Sequence, residues 1–151
     1  MTGVAGIGVD VVHVPRIRAI LAGPGGEGFI RKTFTEREMA LANRLDAPET
    51  YFAARFAAKE AVFKSLGTGW CEGESLCDIE VLPNPDGVPT AVLAGRLRSM
   101  ADKRGYAGIA VSMSSDGDYA IAVASPECCL GSAPVVQEDV GDGEHHPTAP
   151  V

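Results

Sequence analysis

No apolar run in this chain approaches the roughly 20 residues that a membrane-spanning helix requires, and no basic segment followed by an apolar stretch opens it. A membrane span and a secretory leader are therefore not expected, and the expected setting is cytoplasmic. Cys71, Cys77, Cys128 and Cys129 have neither zinc-ligand spacing nor the density of a disulfide scaffold, so free thiols are expected. Gly6-Ile7-Gly8 does not continue into the glycine fingerprint of a dinucleotide site. Lys and Arg are absent from residue 126 onward, where Glu127, Glu138, Asp139, Asp142 and Glu144 fall. The net charge of -7 is thus mostly tail, because residues 1–125 carry 13 basic against 15 acidic side chains. Nothing in this balance points to nucleic acid.

What is present fits one globular domain. With 151 residues, 46% hydrophobic and 22% charged, the chain can bury a core. The expected domain spans residues 1–125, and 126–151, rich in Pro, Gly and acids, reads as a disordered acidic tail. His145 and His146 in that tail make a poor metal site without further ligands. Residues 1–64 hold nine basic against seven acidic side chains, which allows a weakly basic surface toward an acidic partner.

The strongest helix covers residues 52–67. At about 100° per residue, Phe52, Phe56 and Phe63 share a face, and Glu60 falls at its edge with Lys64 one turn on. Carboxylates avoid such places unless something pairs with them. Two readings stay open: a Glu60 to Lys64 pair worth a few tenths of a kcal/mol, or a carboxylate kept for chemistry. Pro48 opens this helix, with Asp46 or Thr50 as candidate cap, and Gly67-Thr68-Gly69 closes it. That glycine turn beside a lysine is an ordinary helix end or a place for phosphate oxygens.

Ile7, Val9 and Val11 alternate with Gly6, Gly8 and Asp10, which predicts a strand over 4–12. The two glycines leave bare backbone beside Asp10, so a ligand or another segment can approach closely. Asp10 itself either ends the strand as a cap or faces what approaches. A short helix follows Pro15 and stops at 23–26, and 29–33 is another helical piece. Thr35-Glu36-Arg37-Glu38 has the form of a capping box starting a helix to about 45, which gives Glu38 a structural role and a weaker claim to a catalytic one. Strands are expected over 78–82 and 90–93 around a Pro83–Gly87 turn, then an amphipathic helix over 93–104, then a hairpin of 107–114 and 119–125.

With Gly6-Ile7-Gly8-Val9-Asp10 and Arg16-Ile17 set beside Arg55-Phe56-Ala57-Ala58-Lys59-Glu60-Ala61 and Lys64, the chain resembles the holo-acyl-carrier-protein synthases, small 4'-phosphopantetheinyl transferases. The resemblance runs from about residue 4 to 124 and includes Phe34-Thr35 with Glu38, Gly67-Thr68-Gly69, Gly87-Val88-Pro89, and Ser112-Met113-Ser114 with Tyr119-Ala120. It implies an α+β fold with an antiparallel sheet packed against the long central helix. It implies transfer of phosphopantetheine from coenzyme A to a serine of an apo acyl carrier protein of fatty-acid, polyketide or peptide synthesis, with release of adenosine 3',5'-bisphosphate. Asp10 and Glu60 match the family's Mg2+ ligands, a role that suits two carboxylates beside substrate phosphates. Lys64 and Gly67 match positions near the phosphates, and Arg16 matches a position facing the carrier's acidic helix. Glu60 is the first choice for the group that takes the serine proton, directly or through a metal-bound water. A homotrimer is implied, with coenzyme bound between subunits. One departure stands out: Ala110 and Ser115 occupy places where many relatives carry histidine, and His13 is the sole histidine outside the tail. The readings that rival transfer are a non-catalytic carrier-binding module and a phosphotransferase acting on another pyrophosphate.

Overall fold

The structure, a computed structural model, describes residues 6–67 and 75–128. Strand β1 (Gly8–His13) leads through helices α1 (Val14–Ala22), α2 (Gly26–Thr33) and α3 (Glu36–Ala42) to the long helix α4 (Pro48–Leu66). A 3-10 turn (Leu76–Asp78) then opens β2 (Ile79–Pro83) and β3 (Pro89–Leu93). Helix α5 (Gly95–Lys103) precedes β4 (Tyr106–Asp116) and β5 (Tyr119–Cys128). The five strands form one antiparallel sheet in the order β1-β5-β4-β3-β2, with α4 laid along it. This is the α+β arrangement that the sequence implies.

The contact between α4 and the sheet is built from small residues. Helix α4 buries Ala53, Ala54, Ala57, Ala58 and Ala61, and β5 turns Ala120, Ala122 and Ala124 inward. Alanine costs no side-chain entropy in a helix, and stubby side chains let the axis settle near the strands. The closest approach is at β1. A Cβ on Gly8 would lie 1.8 Å from the Ala61 carbonyl oxygen, and one on Gly6 would lie 2.6 Å from that of Ser65. The segment that uses the bare backbone beside Asp10 is therefore α4 itself. Because the obstacle at Gly8 is helix backbone, Gly8→Ala is expected to cost more than the roughly 1–3 kcal/mol of ordinary overpacking, read as a lowered urea midpoint.

Aromatic rings fill the other side of α4, with Phe34 and Phe52 centroids 4.6 Å apart and Phe29 edge-on to Phe34 at 5.9 Å. Phe52 and Phe63 are buried, whereas Phe56 is only partly so. Where the expected boundaries move, the cause is local. No side chain caps α4: its N-cap is Ala47, and neither Asp46 nor Thr50 serves. Nor does Asp10 cap α1, whose N-cap is His13. Helix α3 stops at Ala42, short of residue 45, as Arg44 and Leu45 take turn hydrogen bonds. Strand β5 continues to Cys128 because Pro126 and Glu127 still pair with Ile109 and Gly108, so three residues assigned to the tail belong to the sheet. Residues 129–151, with the rest of that tail, lie outside the described residues.

Candidate active site

Asp10 sits in the middle of β1, opposite Ala122. Alternation along the strand turns Asp10 to the α4 side, along with Gly8 and Val12. One turn of α4 apart, Glu60 and Lys64 project toward the same strand. Lys64 Nζ donates to Asp10 Oδ1 and to the Val9 carbonyl oxygen, both at 2.9 Å. The pair anticipated from spacing, Glu60 with Lys64, is thus replaced by Lys64 with Asp10 across 54 residues. Only a fold that stacks α4 on β1 produces that partner.

Glu60 is left facing a second carboxylate. Burial pushes its carboxyl above the ordinary range, the Asp10 charge adds to this, and Lys64 draws it partway back. Asp10, Glu60, His13, Arg16, Phe56 and Tyr119 all line a cavity of about 430 Å³ at the free edge of β1. Arg16 stands exposed in the first turn of α1 on the rim, whose backbone is pre-set by Pro15. A larger cleft of about 860 Å³ opens among α1, α2, α3 and the start of α4, lined by residues such as Leu21, Ile30, Met39 and Phe52. Its charged groups are Glu27, Arg31 and Glu36, with Glu27 joined to Arg31 at 2.5 Å. Asp10 and Glu60, the carboxylates that the family motifs mark, both lie at the smaller cavity.

Gly67 ends α4 in the left-handed conformation at φ 64°, its N–H bonded to the Lys64 carbonyl, which is the glycine end that spacing predicts. It lies one turn beyond Lys64 and does not line the cavity. The Arg104 guanidinium donates to the neighbouring Leu66 carbonyl. Thr68 and Gly69 lie outside the described residues.

Glu38 is not part of this site. It is fully buried, accepts from Thr35 N at 2.8 Å and Val81 N at 2.9 Å, and pairs with Lys59 at 2.6 Å. The capping box read from the sequence is present, and the carboxylate is wholly committed to structure. Lys59, adjacent to Glu60, points the opposite way and also donates to the Thr33 and Leu76 carbonyls. Burial lowers its ammonium below the usual lysine range, while Glu38 pulls in the other direction. Sequence reasoning missed Lys59 as a buried group, and it missed His13 and Tyr119 as cavity walls. Tyr119 could not have been found without the register that sets it opposite His13. His13 lies three residues past Asp10, a nearness visible in the sequence.

Comparisons with known proteins bear on the family and the fold. The 4'-phosphopantetheinyl transferase superfamily model matches residues 6–124. The holo-[acyl-carrier-protein] synthase of Desulforudis audaxviator is 44% identical over 122 residues, covering 80% of this chain and 91% of that protein. Its counterpart in Syntrophotalea carbinolica is 39% identical, covering 81% and 94%. Among solved structures, the holo-[acyl-carrier-protein] synthase of Neisseria meningitidis superposes with a TM-score of 0.75 at 30% identity, covering 83% of this chain and 99% of that one. The Helicobacter pylori enzyme, solved in complex with coenzyme A, gives 0.69 at 27% identity, covering 80% and 99%. Fold, motif order and near full-length coverage of these relatives coincide, and the chain belongs to the 4'-phosphopantetheinyl transferase superfamily.

Proposed function

We propose that the chain is a magnesium-dependent holo-acyl-carrier-protein synthase, transferring 4'-phosphopantetheine from coenzyme A to a serine hydroxyl of an apo carrier protein. The observation that carries this reading is the opposition of Asp10 and Glu60 across one cavity, with Lys64 beside them. Two carboxylates with open space for waters and phosphate oxygens are the donor set magnesium takes. Burial first and the Asp10 charge second raise the Glu60 carboxyl, and a cation held beside it would favour its charged form. Among the described residues no cluster of three or more His, Cys, Asp and Glu is placed to hold a metal, so a dense all-protein cage is not the model here. Asp10 and Glu60 would hold the ion, which when bound supplies charge stabilisation at the pyrophosphate. Glu60 is also the first choice to take the serine proton.

Lys64 is half exposed, and its ammonium can swing from Asp10 to a phosphate as a point charge. Gly67 offers bare backbone at the end of the same helix. Arg16 meets the carrier. Arg16→Ala is expected to raise the KM for carrier protein several-fold more than that for coenzyme A, with the difference shrinking as salt rises. Equal changes in both would remove Arg16 from the carrier surface.

The homotrimer is supported by an apolar face on the side of the sheet away from α4. Ile7, Val9 and Val11 on and beside β1 stand with Ile121 and Val123 of β5, all exposed. Cross-strand register sets Val9 against Val123 and Val11 against Ile121, which makes the face contiguous. Such patches on soluble chains mark interaction surfaces. Sedimentation at three times the chain mass, and a shift to monomer in Val11→Glu, is the expected outcome. No helix among the described residues is long and apolar enough to cross a membrane.

The deciding experiment weighs an apo carrier protein after incubation with the chain, coenzyme A and magnesium. A gain of about 340 Da, the mass of a transferred phosphopantetheine group, is expected. Binding without a gain would favour a carrier-binding module, and turnover of another pyrophosphate without carrier modification would favour a different phosphotransferase.

A further inference from the structure

Asp10 has two claimants of the same charge. Lys64 donates to its Oδ1 at 2.9 Å, and magnesium needs the same carboxylate. We propose that the two exchange: the Lys64 ammonium leaves Asp10 as the ion is taken up and is thereby released to the coenzyme phosphates, so that ion and coenzyme bind cooperatively. This rests on the transferase reading above and gives Lys64 a second task, holding the carboxylate pair until the ion arrives.

Three observations carry it. First, Lys64 bonds Asp10, and the charges of both act on the Glu60 carboxyl. Lys64 thus offsets part of the repulsion between the two carboxylates, which a bound dication would do more fully. An ammonium left on Asp10 would then stand close to that dication, and like charges so near repel. Second, the exposures are unequal. The Lys64 side chain is 52% exposed and that of Asp10 only 19%. An ammonium half in water leaves a carboxylate at small cost, since ion pairs so exposed contribute little. Asp10 is largely enclosed, and among the described residues Lys64 is its one side-chain partner. Third, the direction of departure is open. Lys64 does not line the cavity that Asp10 and Glu60 share. It reaches Asp10 from the last turn of α4, donating also to the Val9 carbonyl at 2.9 Å, and Gly67 follows at the helix end. Its flexible four-carbon stem can turn outward without passing through the cavity, while the α4 backbone stays packed on Gly8.

The exchange sets the sign of two effects. Without coenzyme, Lys64 must give up Asp10 for water alone. With coenzyme, the released ammonium finds phosphate oxygens, so each ligand raises the affinity of the other by the same factor, as linkage requires. A neutral side chain at position 64 removes a competitor, and the coenzyme-free chain should then hold the ion more tightly. A lysine that merely positioned Asp10 predicts the reverse, because its loss would leave the carboxylate free to move.

The test uses the full-length chain and manganese(II), which suits the same carboxylate and water ligands, counted by the spin-resonance signal of the free ion. Without coenzyme A, Lys64→Gln is expected to bind manganese about two- to fivefold more tightly than wild type, as suits a half-exposed ion pair. Unchanged or weaker binding overturns the proposal. With coenzyme A, the wild-type affinity should rise by at least about fivefold, the lower end of usual couplings, and that of Lys64→Gln by less. Equal rises overturn it too. Wild type alone supplies a second check. The chain has four lysines, Lys32, Lys59, Lys64 and Lys103, so the Lys64 ammonium can be followed by nitrogen-15 NMR. Magnesium should speed the exchange of its protons with water and coenzyme A should slow it again, while the buried Lys59 stays unchanged. A Lys64 signal indifferent to saturating magnesium means that the ammonium stays on Asp10, and the proposal fails. Manganese that binds Glu60→Gln as tightly as wild type removes the metal site itself, and the exchange with it. Exchange seen in a chain that leaves apo carrier unmodified sinks the transferase reading alone.

Discussion

Glu60→Gln should abolish most transfer while making the metal-free protein more stable at pH 7. The two effects have one cause. In the folded chain, burial and the facing Asp10 charge hold the Glu60 carboxyl above its ordinary pKa. For a carboxyl raised by folding, the sign of the linkage is fixed. Below the unfolded value of about 4.3 both states are protonated, and no penalty exists. As pH rises through the folded value, the penalty for ionising in place becomes complete. Gln carries no charge, so the variant should melt higher than wild type near neutrality, and the difference should vanish at about pH 4. Added magnesium should raise the wild-type melting temperature, because a ligand that binds only the folded state stabilises it, and should do little for the variant. Loss of charge stabilisation at the pyrophosphate is worth several kcal/mol in metal-assisted reactions, so kcat should fall by about a hundredfold or more. Asp10→Asn should lose transfer similarly. It also strips Lys64 of its partner, so the same gain in stability is not expected there. Near wild-type transfer by either variant at saturating magnesium would sink the assignment of this pair.

What could be read from the sequence was governed by distance along the chain. Signals written within four residues came through: the Thr35–Glu38 capping box and the glycine end at Gly67 appear where spacing puts them. The alternation in β1 did too, with its start moved to Gly8. Relations across the chain did not. Periodicity placed Glu60 at a face edge and offered Lys64 as its partner, since four residues is the reach of helix neighbours. The true partner of Lys64 is Asp10, and only the glycine-permitted approach of α4 to β1 makes that contact possible. The family motifs did mark Asp10 and Glu60 together, although nothing in their spacing states a distance. His13 and Tyr119 meet through cross-strand register, which hydrophobic pattern leaves open between two strands more than a hundred residues apart. Lys59 shows a further limit. A charged residue in a helical pattern reads as solvent-facing, and nothing local announces three acceptors waiting in the interior.

Those acceptors make Lys59→Met the substitution with the largest expected effect on stability. Removing one partner of a buried ion pair costs about 3–5 kcal/mol, and here the loss extends past Glu38. The ammonium donates to Glu38 Oε2 at 2.6 Å, to the Thr33 carbonyl at 2.6 Å and to the Leu76 carbonyl at 3.1 Å. It thereby ties the end of α2, the start of α3 and the turn before β2 to α4. Glu38 in turn satisfies the Thr35 and Val81 amides. For a simple buried pair, replacing both charges with apolar groups is often neutral or stabilising. The double variant Lys59→Met with Glu38→Met should instead stay at least about 3 kcal/mol below wild type, because two carbonyls and two amides lose their partners, and each buried orphan costs about 1–3 kcal/mol. Urea midpoints at unchanged slope would measure this, and recovery in the double variant would show that the pair matters only as a pair. Activity separates structure from chemistry. Neither Lys59 nor Glu38 lines the cavity, so the single variant Lys59→Met, assayed below its melting point at saturating substrates, should keep kcat within a few-fold of wild type while Glu60→Gln does not.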